Sequence, residues 1–301
     1  MLPFRAMSAT EVPAAFHDTP RTASPLGLLR QAVDDVSTRK RLVRYLVQAD
    51  MKKRGSDTVL GNLWWVLDPL LQMLVYLVFV EIIAHRTQFD YPLFIFSAIL
   101  PWKWFQATIT DATGSIVRQE KLIRQIAFPK IVLPIATATA GVVGFAWGLI
   151  PLGLLMLFFP DRISVMLVWV PVIAGVQYVF TVATSILMSA ANVFVRDLGN
   201  IVNHVLRLWW FLSPGLYSLS NLREIAFFKE HRIILELANL NPFAVLFEAY
   251  RNVIYGSPDG IGPPIPPNLV ALSQLLVGSL VFLAIASVVF KRVEPVFAKV
   301  L

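Results

Sequence analysis

The sequence predicts an all-α polytopic membrane protein with six transmembrane helices, and three observations carry that expectation. Hydrophobic residues make up 56% of the 301 and charged residues only 15%, whereas a soluble domain carries roughly 25% charged residues to cover its surface. The apolar content is gathered into six separate runs, each near the roughly 20 residues that cross a hydrocarbon core. Arginine and lysine are then divided unevenly between the two sets of connections, which orients the spans. Mean hydropathy is +0.66, so the solvent of this chain is largely lipid.

Residues 1–36 contain acidic residues, scattered prolines and no continuous apolar core. They are expected to form a mobile cytoplasmic tail and not a secretory signal. Between Ser37 and Arg54, Val43, Leu46, Val47 and Met51 recur at helical spacing, while Arg39, Lys40, Arg41, Arg44, Lys52 and Lys53 supply a cationic side. That pattern predicts an amphipathic helix in the cytoplasmic interface, with its apolar stripe in acyl chains and its cations among headgroups. An amphipathic helix packed on another subunit is the alternative. A linker runs on to residue 62.

The six spans are expected at about 63–84, 93–113, 131–159, 164–193, 205–222 and 268–290. Pro160-Asp161-Arg162-Ile163 is so short a connection that the third and fourth must form an antiparallel hairpin. Residues 1–62, 114–130, 194–204 and 291–301 carry 18 Arg and Lys; the opposite connections carry six, with Lys103 and Arg207 inside spans. This bias sets both termini in the cytoplasm, with residues 291–301 as a second cytoplasmic tail. The net charge of +7 is thereby a topology signal and gives no reason to expect nucleic acid.

Two inner loops have the character of docking elements. Residues 114–130 alternate basic and apolar residues at helical spacing until Phe128-Pro129 stops the helix. Phe194-Val195-Arg196-Asp197-Leu198-Gly199-Asn200 likewise presents a few charges and an aromatic. Either can seat in a groove of a cytoplasmic partner, and either is also what a plain positive-inside loop looks like. On the other side, 223–267 is too polar to span; Ile233–Leu240 and Phe243–Tyr250 are short amphipathic pieces broken at Asn241-Pro242. They are expected to be re-entrant, in a protein-lined or watery cavity, or to rest on the outer interface. Ser213-Pro214-Gly215 marks a kink or break in the fifth span.

Catalytic chemistry finds no foothold. There is no cysteine, which excludes thiolate metal sites and a thiol nucleophile. No GxxxxGK[ST] stretch cradles nucleotide phosphates. His17, His85, His204 and His231 lie in unrelated segments without metal-ligand spacing. Ionisable groups within spans are few: Asp68, Glu81, Lys103, Asp111 and Arg207. Only Asp68 and Asp111 could serve as proton-carrying carboxylates, and both are poorly placed, so the energy for work is expected to come from elsewhere. Aromatic residues abound. Most tryptophans fall near span ends, where interfacial belts put them. Aromatic faces also stack on sugar rings, and Tyr76, Phe79 and Tyr217 are the better candidates for lining a glycan tract, beside Trp64, Trp65, Trp209 and Trp210.

These motifs, taken in order, resemble the ABC-2 type permeases of polysaccharide exporters, which move O-antigen, capsule or teichoic-acid chains. Leu60-Gly61-Asn62-Leu63-Trp64-Trp65-Val66-Leu67-Asp68-Pro69-Leu70-Leu71-Gln72-Met73 is similar to the family's LGxLWxxLxPLLxM. Ser115-Ile116 through Leu122-Ile123-Arg124 to Phe128-Pro129-Lys130 and Leu133-Pro134 follows, then Phe194-Val195-Arg196-Asp197-Leu198, then Asn241-Pro242 through Glu248 to Tyr250-Arg251. The matching order covers about residues 40–290. Ser213-Pro214-Gly215-Leu216-Tyr217 departs from the Pro-Ile that relatives more often have before the tyrosine.

The resemblance implies an interfacial helix, six spans and a homodimer. Short re-entrant helices would follow the fifth span, around Asn241, Pro242 and Arg251. Arg118, Lys121, Arg124, Phe128, Phe194, Arg196 and Asp197 would couple to a separate ATPase subunit. No cofactor or metal is expected in this chain; ATP and Mg would be bound by that partner. The substrate would be a lipid-linked glycan crossing the bacterial cytoplasmic membrane. A permease for a small drug or lipid is the nearest rival; a membrane-embedded transferase and a structural scaffold are more remote.

Overall fold

The computed structural model describes residues 24–56, 60–83, 90–217, 240–256 and 262–301, and every regular element among them is helical. The helices are α1 (Pro25–Thr38), α2 (Lys40–Ser56), α3 (Trp64–Ile83), α4 (Tyr91–Thr113), α5 (Glu120–Gln125), α6 (Val132–Met156), α7 (Val170–Phe194), α8 (Leu198–Leu212), α9 (Pro242–Ile254) and α10 (Leu269–Val300). Short 3-10 turns occupy Gly61–Leu63, Val117–Gln119, Pro160–Arg162 and Val165–Trp169.

Among the described residues, three stretches are long and apolar enough to cross a membrane: Val132–Met156, Val165–Phe194 and Leu269–Phe297. Their outward residues are large and apolar, among them Leu154, Val172, Val277, Val281 and Ile285, as a lipid-facing surface requires. The first two, joined by the turn at Pro160–Arg162, form the hairpin expected from sequence. In α3 the apolar stretch is Val66–Phe79, with Pro69 inside the helix. Helix α4 is about 35 Å long at the usual rise and carries Lys103 and Asp111.

Helix α4 is the axis of the bundle, packing on α3, α6, α7, α8 and α9. Every residue from Leu93 to Trp102 is buried, as in a helix that is apolar all round and enclosed by protein. The buried Gln177 of α7 donates from Nε2 to the Pro101 carbonyl at 2.7 Å, tying those two helices at mid-length. Buried residues form two clusters. One surrounds α4, α8 and α9; the other joins α1, the α5 region and the ends of α7 and α10.

Three sequence expectations are corrected. Residues 25–36, expected within a mobile tail, form helix α1. Pro25 occupies its first turn, where a missing N–H costs nothing, and the Ser24 hydroxyl accepts the Gly27 N–H at 3.2 Å. Leu28 and Ala32 are buried, and the helix packs on α10. Residues 291–301, expected as a second tail, continue α10 to Val300 despite Pro295, with Phe297 and Leu301 buried.

The fifth expected span, 205–222, is displaced. Helix α8 starts at Leu198 and ends at Leu212, so the connection from α7 shrinks to Val195–Asp197. Its 15 residues reach only about 22 Å. The break sits at Ser213-Pro214-Gly215, as the sequence indicates. A Cβ at Gly215 would lie 2.5–2.9 Å from three atoms of the buried Trp210 ring. Gly215→Ala is therefore expected to lower the unfolding midpoint of the purified chain at a cost of about 1–3 kcal/mol, the usual overpacking penalty; an unchanged midpoint would show that the ring yields freely.

The expected amphipathic helix at 37–54 appears as α2, which begins after a one-residue break at Arg39 and packs along α6. Of the two short pieces after the fifth span, Phe243–Tyr250 lies within α9, whereas Ile233–Leu240 lies outside the described residues except for Leu240.

Candidate functional site

The loop between α4 and α6 is built around its own charges. Arg118 folds back beneath Gly114 and donates to the Asp111 carbonyl. A Cβ at Gly114 would stand 2.5 Å from the Arg118 guanidinium. In α5, Glu120 and Arg124 pair at 2.8 Å one turn apart, while Ile123 turns inward. The helix stops at Gln125, before the expected Phe128-Pro129, because Ile126 is already extended. Phe128 is buried in the same cluster as Ile123, Ile131, Phe290 and Phe297. Lys121 is exposed, and so is the large apolar side chain of Ile126.

The second loop, Val195–Asp197, lies between α7 and α8. Phe194, Val195, Arg196 and Asp197 are all exposed. The Asp197 carbonyl accepts the Ile201 N–H at 3.1 Å, opening α8.

The two loops meet on the end of α10. Arg124 donates to the Leu301 carbonyl, and the Phe194 and Phe297 rings lie 6.0 Å apart. A buried ion cluster fixes that end. Lys291, 4% exposed, pairs with Asp35 of α1 at 2.6 Å and with Glu294 one turn along α10. Glu294 also accepts the Lys130 backbone N–H at 2.5 Å. A charge this enclosed persists only when paired and hydrogen-bonded, so the cluster holds α1, α10 and the end of the α5 loop in one arrangement. Of the expected contact residues, Lys121, Phe194, Arg196 and Asp197 share this exposed face. Arg118, Arg124 and Phe128 brace it. Ile126 and Val195 belong to the face as well, and loop position beside a cation was the only sequence signal for them.

The aromatic candidates divide. Trp210 is enclosed, at 3% exposure, with Trp102 5.5 Å and Phe247 5.7 Å away. Tyr76 stacks on the Trp210 ring at 5.8 Å and is half-buried. Trp209 packs edge-on against Phe105, Phe180 and Phe243. Phe79 and Trp64 are exposed, but Trp64 opens onto a separate cavity between α3, α4 and α6. The Trp65 side chain lies outside the described residues. Sequence reasoning passed over the fully buried Trp102 and Phe243, whose rings are 4.7 Å apart at the centre of the cluster; both were readable only as interfacial or amphipathic positions.

Asn241, Pro242 and Arg251 form a latch. Asn241 caps α9 by accepting the Phe243 N–H, accepts the Trp209 indole N–H at 3.1 Å, and donates to the Ser213 hydroxyl at 2.8 Å. Arg251, 6% exposed, donates to the Tyr217 carbonyl at 3.0 Å and to the Gly215 carbonyl, with its guanidinium 3.8 Å above the Phe94 ring. The Tyr91 hydroxyl donates to the Leu216 carbonyl at 2.9 Å. The carbonyls released where α8 breaks are thus collected by α9 and α4. Tyr217, half-buried, sits in this latch. At the far end of α9, Arg162 pairs with Asp90 at 2.7 Å and lies 4.9 Å over the Tyr255 ring. Helix α9 therefore runs from beside Trp102, about 17 Å along α4 from Tyr91, to beside Asp90.

Apolar helices long enough to cross a bilayer, with a pair of exposed polar loops gathered at one end, give this chain the build of a membrane protein. No family model matches the sequence. Curated relatives do. The chain is 31% identical over 254 residues to an O-antigen export system permease protein RfbA of Myxococcus xanthus, covering 84% of this chain and 93% of the relative. It is 26% identical over 262 residues to a protein of the same description from Klebsiella pneumoniae, covering 86% and 95%. The chain belongs to the O-antigen export permease family, of the ABC-2 type.

Proposed function

We propose that this chain is the transmembrane permease subunit of an ATP-driven exporter. Two copies form a channel that carries a lipid-linked polysaccharide outward across the bacterial cytoplasmic membrane. The observation that carries this reading is the shared face of the two polar loops on the end of α10, with Lys121, Ile126, Phe194, Val195 and Arg196 exposed on it. An ATPase subunit that binds ATP and Mg docks there. Its closure on nucleotide pushes α5 and Val195–Asp197. Because Arg124 holds Leu301 and Glu294 holds Lys130, the push enters α10 and α1 together with α4 and α6.

In this reading α3, α4, α6, α7 with its 3-10 start, α8 and α10 are the six spans, and both termini are cytoplasmic. Helix α9 is re-entrant: it reaches mid-depth at Trp102 and returns to the outer surface at Asp90 and Arg162. Asn241 caps its first turn, and Arg251 and Tyr91 take up the carbonyls of the break after α8, the condition for irregular backbone at that depth. The relatives' printed role in O-antigen export supports a polysaccharide cargo.

The test is pull-down of the tagged chain from mild detergent, with ATPase activity measured on what co-purifies, and glycan at the surface of the producing cells scored in parallel. Arg196→Glu reverses an exposed charge without touching the core. It is expected to reduce partner binding about tenfold or more, as a like-charge clash in an interface does, and to reduce surface glycan with it. Full binding and export by Arg196→Glu would remove the Val195–Asp197 loop from the docking face. Export of small hydrophobic drugs in place of glycan would overturn the cargo.

A further inference from the structure

A cavity of about 280 Å³ opens between α3, α4 and α6, one wall of it formed by Trp104 and Phe145 at the edge of the buried aromatic cluster. Its lining includes Trp64, Asp68, Lys103, Trp104, Thr108 and Phe145. Lys103 is the thirteenth of the 23 residues of α4, about 18 Å from Tyr91 and 15 Å from Thr113 along the axis. Its ammonium pairs with Asp68 at 2.8 Å, with side chains 26% and 57% exposed. An accessible ion pair at the middle of a membrane helix is costly in lipid and marks a water-filled or ligand-bearing space.

The walls narrow the choice of ligand. Trp64, 45% exposed, offers an indole face to the cavity, whose lining also holds Trp104 and Phe145, tilted together with ring centroids 4.7 Å apart. The floor is Gly141, where a Cβ would stand 2.2 Å from Thr108 Oγ1 and 3.0 Å from Trp104 Nε1. Both of those buried atoms lack a hydrogen-bond partner. An acyl chain would strip water from the ion pair and give nothing back. A phosphate would meet the Asp68 carboxylate. A pyranose ring lays its apolar face on an indole, and its hydroxyls donate to the carboxylate while accepting from the ammonium, so the pair keeps its charge balance. The volume sits at the low end of small-molecule pockets, which run from about 300 Å³ upward. It holds a ring or two, not a polymer.

We propose that this cavity is a carbohydrate subsite that takes one sugar ring of the translocated glycan, a role that rests on the exporter reading above. The ion pair supplies the hydrogen bonds and Trp64 the stacking face.

The chain has no cysteine, so a single cysteine reports without background. Ala107 lines the cavity and is exposed. The full chain carrying Ala107→Cys, in phosphatidylethanolamine and phosphatidylglycerol nanodiscs, is labelled with a neutral maleimide. Labelling rates are normalised to Val281→Cys on the exposed face of α10. Dodecyl maltoside, the probe, is expected to slow labelling about fivefold or more, the worth of one or two hydrogen bonds; dodecanol is not. The double change Asp68→Asn with Lys103→Gln, and separately Trp64→Ala, are each expected to abolish the protection.

Equal protection by dodecanol, no protection by maltoside, or protection surviving both sets of changes would overturn the subsite. Surface glycan on cells is scored independently. Protection absent while glycan is exported overturns the subsite alone. Protection present while the assembled transporter exports no glycan overturns the exporter reading and leaves a sugar-binding cavity.

Discussion

Lys291→Met is expected to destabilise the purified chain by about 3 kcal/mol, read as a lowered unfolding midpoint in detergent. Removing one member of a buried ion pair costs about 3–5 kcal/mol, because the partner charge stays behind without compensation. Here two carboxylates are left. Glu294 is almost enclosed, while Asp35 keeps some contact with water, which places the loss at the lower end. The same change frees α1 from α10, so limited proteolysis should cut near Arg30 faster than in the parent chain. Lys291→Met combined with Asp35→Asn and Glu294→Gln removes the stranded charges and is expected to recover much of the loss. A midpoint unaffected by Lys291→Met would mean that the cluster contributes nothing net, and apolar packing of Phe290 and Phe297 alone would hold α10 in place.

The second large effect concerns Arg251. Its two donations, to the carbonyls of Tyr217 and Gly215, cover backbone that no helix satisfies once α8 has ended. Hydrogen bonds to a charged group contribute about 1.5–3 kcal/mol each, and buried carbonyls left unpaired add to the loss. Arg251→Met is thus expected to cost about 3 kcal/mol. It should also loosen the turn at Gly215, which lies against the Trp210 ring, and so shift tryptophan emission to the red. Arg251→Lys retains the charge but lacks the planar fork that reaches two carbonyls at once, and an intermediate loss is expected. An unshifted spectrum together with full stability in Arg251→Met would show that water takes over both carbonyls.

How far the fold could be read from the sequence depended on whether one element alone carried the signal. The α6–α7 hairpin was legible because apolar length and a four-residue connection are local properties. The break at Ser213-Pro214-Gly215 was legible for the same reason. Helix α1 left a faint local mark in Ser24-Pro25, a serine followed by proline at a helix start. Its few apolar residues gave no reason to dock, since the partner of Asp35 is Lys291, at the other end of the chain. The continuation of α10 was hidden by the same pair, because Lys291, Arg292 and Glu294 in a row read as an exit into water. The start of α8 was misplaced because Arg196 through His204 is polar, although its apolar positions keep helical spacing.

Among the site residues, position alone picked out the loop residues Lys121 and Arg196, and the exposed Phe194 beside them. It could not tell that Trp210 is enclosed and Trp64 open. Both are tryptophans near expected span ends, and only packing against Trp102 and Phe247 separates them. The Asp68–Lys103 pair was visible as two isolated intramembrane charges. That they face each other across α3 and α4 depends on register between helices, which periodicity does not supply.

The buried cluster of Asp35, Lys291 and Glu294 also imposes an order on biosynthesis. Asp35 leaves the ribosome long before Lys291, so α1 lacks this partner while the helices between them are being made. The backbone of Lys130, and with it the loop that contains α5, is likewise unclaimed until Glu294 has been made. A chain interrupted before α10 therefore lacks the finished face on which α5 and Val195–Asp197 meet. Synthesis of α10 is the event that closes the cluster, and copies cut short of it lack the two side chains that hold α1 and the α5 loop in place.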